Sequence, residues 1–185
     1  MTRAKPQNIW VVKCREVKAD GTRGWHWRYY LPGDDCDREL NEPSEDWGGQ
    51  DWIKSNLSKK LIREEVQAGD GVICYQCDTR EIVGLTRMAS AGKDDPPGSG
   101  DYNCFDLAPP REALRLDPPL RMRDLYASGC HPRCFAPGTQ GTLFRVDQQE
   151  FEAIRTAIIR NSSGMRKRVA AWLDRAGRRP AEPRR

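Results

Sequence analysis

Hydrophobic positions occur in short, separated bursts along the chain. Residues 8–17, "NIWVVKCREV", are β-rich with no breaker and predict a first strand. "KADGTRG" (18–24) contains Asp-Gly and predicts a turn. "WHWRYYL" (25–31) then predicts a second strand, with Trp25, Trp27 and Tyr29 on one face and His26, Arg28 and Tyr30 on the other. The acidic, turn-rich stretch 32–46 predicts a loop.

The pattern then changes period. In "SNLSKKLIREEVQAG" (55–69), Leu57, Leu61, Ile62 and Val66 form a stripe at helical spacing. Ser55 or Asn56 can cap that helix and Gly69 can end it. Directly after it, "GVICYQ", the turn "CDTRE" and "IVGLTRM" predict a β-hairpin. A loop over 91–101, a strand "YNCFDL" (102–107) and a proline-led helix over 118–128 follow. "GTLFRV" (141–146) predicts a strand. Asp147 and Glu150 are spaced as a capping box for a helix that turns Phe151, Ile154 and Ile158 inward. After 161, "MRKRVAAWLDRAG" is basic and amphipathic, with Met165, Val169 and Trp172 on one side, and residues 178–185 predict disorder.

About six strands, mostly in antiparallel hairpins, with three or four helices make an α+β domain whose sheet is strongly curved or an open barrel. The domain is expected to span 1–160, with 18–46 an inserted aromatic hairpin and acidic loop, and 161–185 a basic C-terminal helix and tail, partly disordered.

Composition narrows the function classes. The 185 residues are 31 % charged and 37 % hydrophobic, with mean hydropathy −0.81. No apolar run reaches the roughly 20 residues of a membrane span, and "MTRAKPQNIW" has no signal-peptide core, so a cytoplasmic protein is expected. The formal charge of +4 is uneven: from Arg160 onward there are nine Arg or Lys and two acidic residues.

Seven scattered cysteines fit free thiols in a reducing compartment. Cys74 and Cys77 have zinc-ligand spacing, and Cys130, His131 and Cys134 offer a second half-site. Within a strand, however, residues three apart point to opposite faces, so the hairpin reading is preferred over a metal site. Of the two histidines, His26 lies in an aromatic strand and His131 follows Cys130, but adjacent residues rarely aim at each other; no Gly-rich nucleophile turn, P-loop, dinucleotide fingerprint or nuclease metal motif is present. A non-catalytic binder without a cofactor is expected.

Several of these pieces, taken in order, resemble the EVE domain, a PUA-like family related to YTH domains. They are "IWVVKCRE", "DWGGQDWIKSN" with its Trp-x-Gly, the helix–Gly-Asp–strand–"IVGLT" order of the hairpin, "LRLDPPLRMRDL" and "GTLFRVDQQEFEAI", which together span about 8–160. The family commonly has Arg-Asn after the Trp-x-Gly, where this chain has Gln50-Asp51-Trp52, Ser at Cys14 and His at Gln76. The resemblance implies a PUA-like fold whose pocket holds a flipped base in an aromatic cage. The base is often a modified cytosine in DNA, with DNA favoured over RNA, in bacterial defence or regulation beside a separate nuclease or effector. By resemblance the pocket comprises Trp10, Lys13, Cys14, Trp47, Trp52, Ser55, Asn56, Tyr75 and Gln76. The alternative is an RNA-binding or RNA-processing protein of the related PUA/ASCH type, with hydrolase chemistry. Independently of the resemblance, Arg166, Lys167, Arg168 and Arg175 beside Trp172 have the composition of a phosphate-contacting arm.

Overall fold

A computed structural model describes residues 8–18, 21–49, 52–136 and 141–176. Gln50, Asp51 and the end of the basic tail (177–185), where disorder is expected, lie outside the described residues.

Eight strands form two sheets. The larger has five strands in the order β7 (Leu114–Arg121), β4 (Glu81–Arg87), β3 (Gly71–Gln76), β1 (Ile9–Cys14) and β8 (Leu143–Val146). The smaller joins β2 (Ser44–Gly48), β6 (Tyr102–Leu107) and the two-residue β5 (Lys93–Asp94). The hairpin β3–β4 is therefore central, as its unbroken apolar character requires: β3 is buried at all six positions. An all-antiparallel sheet was expected, but β1 and β3 run parallel, with Val11 opposite Ile73. The larger sheet is mixed, the smaller antiparallel, and neither closes into a barrel.

Strand alternation divides the core in two. On β1, Ile9 and Val11 face one cluster with Ile73 and Tyr75 of β3, under the helices α2 (Met122–Ala127), α3 (Gln148–Asn161) and α4 (Arg166–Ala176). Trp10, Val12 and Cys14 face the other cluster, with Val72 and Cys74, toward the smaller sheet and α1 (Asn56–Glu64). Cys74 and Cys77 thus lie against opposite clusters, Cys77 among the partly buried residues of the first. Among the described residues no group of three or more His, Cys, Asp or Glu is placed to hold a metal ion.

Three sequence expectations are corrected. Residues 25–31 are not a strand: Trp27–Tyr29 form a 3₁₀ turn. Trp27 and Tyr30 are both fully buried, a spacing of three that matches three residues per turn rather than the two of a strand. The 118–128 helix begins only at Met122, because Pro118 and Pro119 lie inside β7. That strand is at the sheet edge, and the register shifts between Ile82 and Gly84 opposite the prolines, so their missing N–H groups break no ladder bond. α1 ends at Glu64, and Leu57 is 66 % exposed instead of inward; Ile62 and Val66 carry the apolar face. The capping box of Asp147 and Glu150 forms as expected, and Phe151, Ile154 and Ile158 are buried beneath it.

α4 is part of the body rather than a free tail, since Val169, Trp172 and Leu173 are buried in the first core cluster. No helix among the described residues is long and apolar enough to cross a membrane.

Candidate functional site

The parallel pair β1 and β3 ends in a cleft of about 880 Å³. Parallel strands send their carboxyl ends to the same edge, so Lys13 and Tyr75, opposite each other in register, both reach it. The β3–β4 turn adds Cys77 and Arg80. The start of α1 adds Lys54 and Ser55, and Phe135 closes another side.

Trp52 is the main aromatic wall. Its N–H donates to the Gly49 carbonyl at 3.0 Å, and its own carbonyl accepts from the Thr142 hydroxyl at 3.3 Å. Gly49 has φ +90°, a conformation open to glycine but strained for other residues, which accounts physically for the glycine of the Trp-x-Gly stretch. The Lys18 ammonium sits 4.9 Å from the Trp52 ring centroid. Tyr75 packs on Phe135 with centroids 4.8 Å apart. Ser55 is the N-cap residue of α1 but makes no side-chain cap bond, so its hydroxyl is not committed to the helix.

The cleft is cationic. Lys13, Arg15, Lys18, Lys54 and Arg80 line it, and among the described residues no Asp or Glu does. The N-terminal end of α1 adds its partial positive charge. Lys13 stands 4.3 Å from the Phe144 ring centroid, and burial pulls its ammonium below the ordinary lysine value. Burial pushes the Cys14 thiol far up and the Cys77 thiol up. Tyr75 is pushed up to about 12, again mainly by burial. At neutral pH these three groups are protonated.

Of the residues expected in the pocket, Lys13, Cys14, Trp52, Ser55 and Tyr75 come together here. Trp10 does not: it is fully buried and its Nε1 donates to Asp70 at 2.8 Å. Gln76 is also fully buried, with its carbonyl oxygen accepting from the Trp27 N–H at 3.2 Å and its amide donating to Asp78. Asn56 is exposed at the first turn of α1 and is not among the lining residues.

Trp47 belongs to an aromatic box. It stacks on Trp27 at 4.8 Å and 13°, meets Trp25 edge-on at 4.3 Å, and donates from Nε1 to Ser44. This box borders a second, apolar pocket of about 130 Å³, which shares Trp52 and Cys14 with the cleft. Sequence reasoning missed Arg15, Lys18, Lys54, Arg80 and Phe135. The "KCR" at 13–15 was the available signal, since alternating charges at the end of a buried strand have to emerge at its exit.

Lys167, Arg168 and Arg175 line a separate cleft, while Arg166 stands beside it.

No protein-family model matches the chain, and no curated protein does. Solved structures share its fold, among them two from bacteria. The crystal structure of protein Atu2648 from Agrobacterium tumefaciens is 17 % identical, with a TM-score of 0.56. The NMR structure of Rpa0253 from Rhodopseudomonas palustris is 21 % identical, with a TM-score of 0.54. Each match covers 81 % of this chain and 92 % of the other, so the likeness is one of overall fold rather than of one motif.

Proposed function

We propose that the chain is a nucleic-acid-binding module that receives a flipped nucleobase in the cleft at the ends of β1 and β3. The observation that carries this reading is the lining itself: among the described residues, five cations and no carboxylate, with the Trp52 and Tyr75 rings in one concave site. A flipped base needs a π-face and hydrogen-bonding groups for its edge, and its phosphates need positive charge. Trp52 supplies the face once the flexible Lys18 side chain moves aside. Ser55 and Thr142 supply hydroxyls, and Arg15, Lys54 and Arg80 supply charge toward the strand.

The protonated thiols and phenol support binding rather than catalysis, because a covalent step needs an ionised nucleophile or a base beside it. No histidine is among the lining residues. Following the resemblance to the EVE group, the favoured ligand is a modified cytosine in DNA, read in a defence or regulatory setting beside a separate effector.

A thermal-shift screen of modified nucleosides and of DNA and RNA oligonucleotides tests the reading. A modified-base oligonucleotide should raise the melting temperature more than its unmodified counterpart, and Trp52→Ala should abolish that difference. If no nucleoside or oligonucleotide stabilises the protein, the reading fails.

A further inference from the structure

A second basic cleft, of about 570 Å³, lies where α4 passes over the far end of the β3–β4 hairpin. Its charged lining is Arg87, Arg111, Lys167, Arg168 and Arg175 against a single carboxylate, Glu112. Among the described residues none of the five cations has an ion pair; Arg111 donates to the Asn41 side-chain oxygen at 2.8 Å. Arg87 carries the argument. Its Nε is buried with no hydrogen-bond partner, and its guanidinium lies 5.8 Å from the Trp172 ring centroid. Burial and the charge of Arg175 both pull its pKa down. A desolvated cation facing further cations, with one donor unused, is a site arranged for an anion that is not part of the chain.

The chemistry of the anion follows from what surrounds the cleft. Val169, Trp172 and Leu173 are spent in the core, so α4 offers a charged face and no apolar one to insert into a bilayer. The two basic clefts lie toward opposite ends of one hairpin. Tyr75 borders the first, and Gly71, four residues earlier on β3, pairs with Arg87 in the second. That is about 13 Å along the strand; because β3 is buried throughout, a polyanion of closely repeated charges that reaches both clefts runs over the outside of the molecule, a longer path that further repeat units cover.

We propose that this cleft is a phosphate-binding site that seats the backbone of the strand whose base enters the first cleft. In naming that strand it rests on the function proposed above. Its cations hold phosphates without reading sequence.

The test uses the full chain, a fluorescent single-stranded DNA, the same DNA carrying 5-methylcytosine, and anisotropy titrations over a range of salt. Lys167→Gln with Arg175→Gln changes two exposed side chains and leaves the core intact. This double variant should weaken both DNAs by the same factor and flatten the slope of log affinity against log salt by about 1 to 2. Arg87→Gln should act in the same direction, with its melting temperature checked because Arg87 is partly buried. If the base-pocket reading is wrong, wild type will not distinguish the two DNAs, yet the slope will still flatten in the double variant. Unchanged affinity and slope overturn the phosphate site. A cleft that instead binds polyglutamate, with DNA affinity indifferent to the double variant, overturns it in favour of an acidic protein partner.

Discussion

The Trp10 indole donates its Nε1–H to the Asp70 carboxylate at 2.8 Å across the interior between β1 and the start of β3. The same carboxylate accepts from the backbone N–H of Asn8 at 3.2 Å and of Gln67 at 3.0 Å. It therefore ties the first strand, the end of the α1 segment and the entry to the central strand at one point. The Gly-Asp that precedes the hairpin is a junction of three segments.

Removing that junction has a calculable cost. Asp70→Ala leaves the indole and two backbone donors without their partner, and buried unsatisfied donors cost about 1–3 kcal/mol each. Partial access of water at Asn8 lowers the sum, so a loss of about 2–4 kcal/mol is expected in urea unfolding. The pH dependence has a definite sign. Burial outweighs these hydrogen bonds and raises Asp70 above its ordinary 3.8, so the folded chain keeps that proton to higher pH than the unfolded one. The contribution is full below 3.8 and is lost as pH rises through the folded-state value. Compared with Asp70→Asn, which has no such titration, the wild type should gain relative stability as pH falls from about 6 to about 3.

Trp10 also shows why part of the site was legible and part was not. The expected residues that line the cleft, Lys13, Cys14 and Tyr75, follow from local pattern: they stand at the ends of two apolar strands, where the sheet gives way to loops. Trp10 and Gln76 sit on the same strands, but each found a buried partner distant in sequence, Asp70 and Trp27. Single-sequence patterning carries no trace of such pairings. The parallel pairing of β1 with β3 is non-local in the same way, and it is what brings Lys13 beside Tyr75. The four missed cations come from three separate segments, and no window of sequence contains them all. Conversely, the capping box of α3 and the β3–β4 hairpin are local in sequence, and both were readable there.

Gly48 gives a prediction about the smaller sheet. It has φ +122°, and a Cβ there would stand 2.2 Å from the Asn103 backbone carbonyl oxygen. Flexible side chains can move from such a contact; the paired β6 backbone cannot do so cheaply. Gly48→Ala should therefore destabilise the fold by about 2–4 kcal/mol, combining strained backbone with a clash. Amide exchange should quicken first along β2, because Gly48 is its last residue before the Trp52 turn. A melting curve identical to wild type would contradict this account of the Trp-Gly-Gly stretch.

Lys13 provides a pH signature for ligand binding. Burial lowers its pKa from the ordinary 10.5, so it loses its charge at a lower pH than a fully solvated lysine. If it contacts the ligand as an ammonium, oligonucleotide affinity should begin to fall on the alkaline side below 10.5. Lys13→Gln should bind more weakly at neutral pH and lack that early fall. A bound phosphate would itself raise the pKa of Lys13, shifting the fall upward in the complex relative to the free protein. Parallel pH profiles for wild type and Lys13→Gln would remove Lys13 from the binding group.

The two cleft-side tryptophans, Trp52 and Trp47, should separate cleanly when each is truncated. Trp47 has one face on Trp27, edges against Trp25 and Tyr30, and its Nε1 bonded to Ser44. Trp47→Ala opens a hole in that box and should cost about 2–4 kcal/mol of stability, near the lower end for a large aromatic because the ring is only half-buried. Where the variant remains folded, its oligonucleotide affinity should change little. Trp52 is anchored by its backbone, through Gly49 and Thr142, and its half-buried ring rests against the edge of the second core cluster with Lys18 over it. Trp52→Ala should leave the melting temperature within a few degrees. It should weaken binding of a modified-base oligonucleotide by the roughly 1–3 kcal/mol that base–aromatic stacking supplies, a loss of about 5- to 150-fold. Trp52→Phe, which retains a smaller π-face, should recover part of that loss. If Trp47→Ala instead abolishes binding without unfolding the chain, the base enters the smaller apolar pocket on the other side of Trp52, and the basic cleft serves only its phosphates.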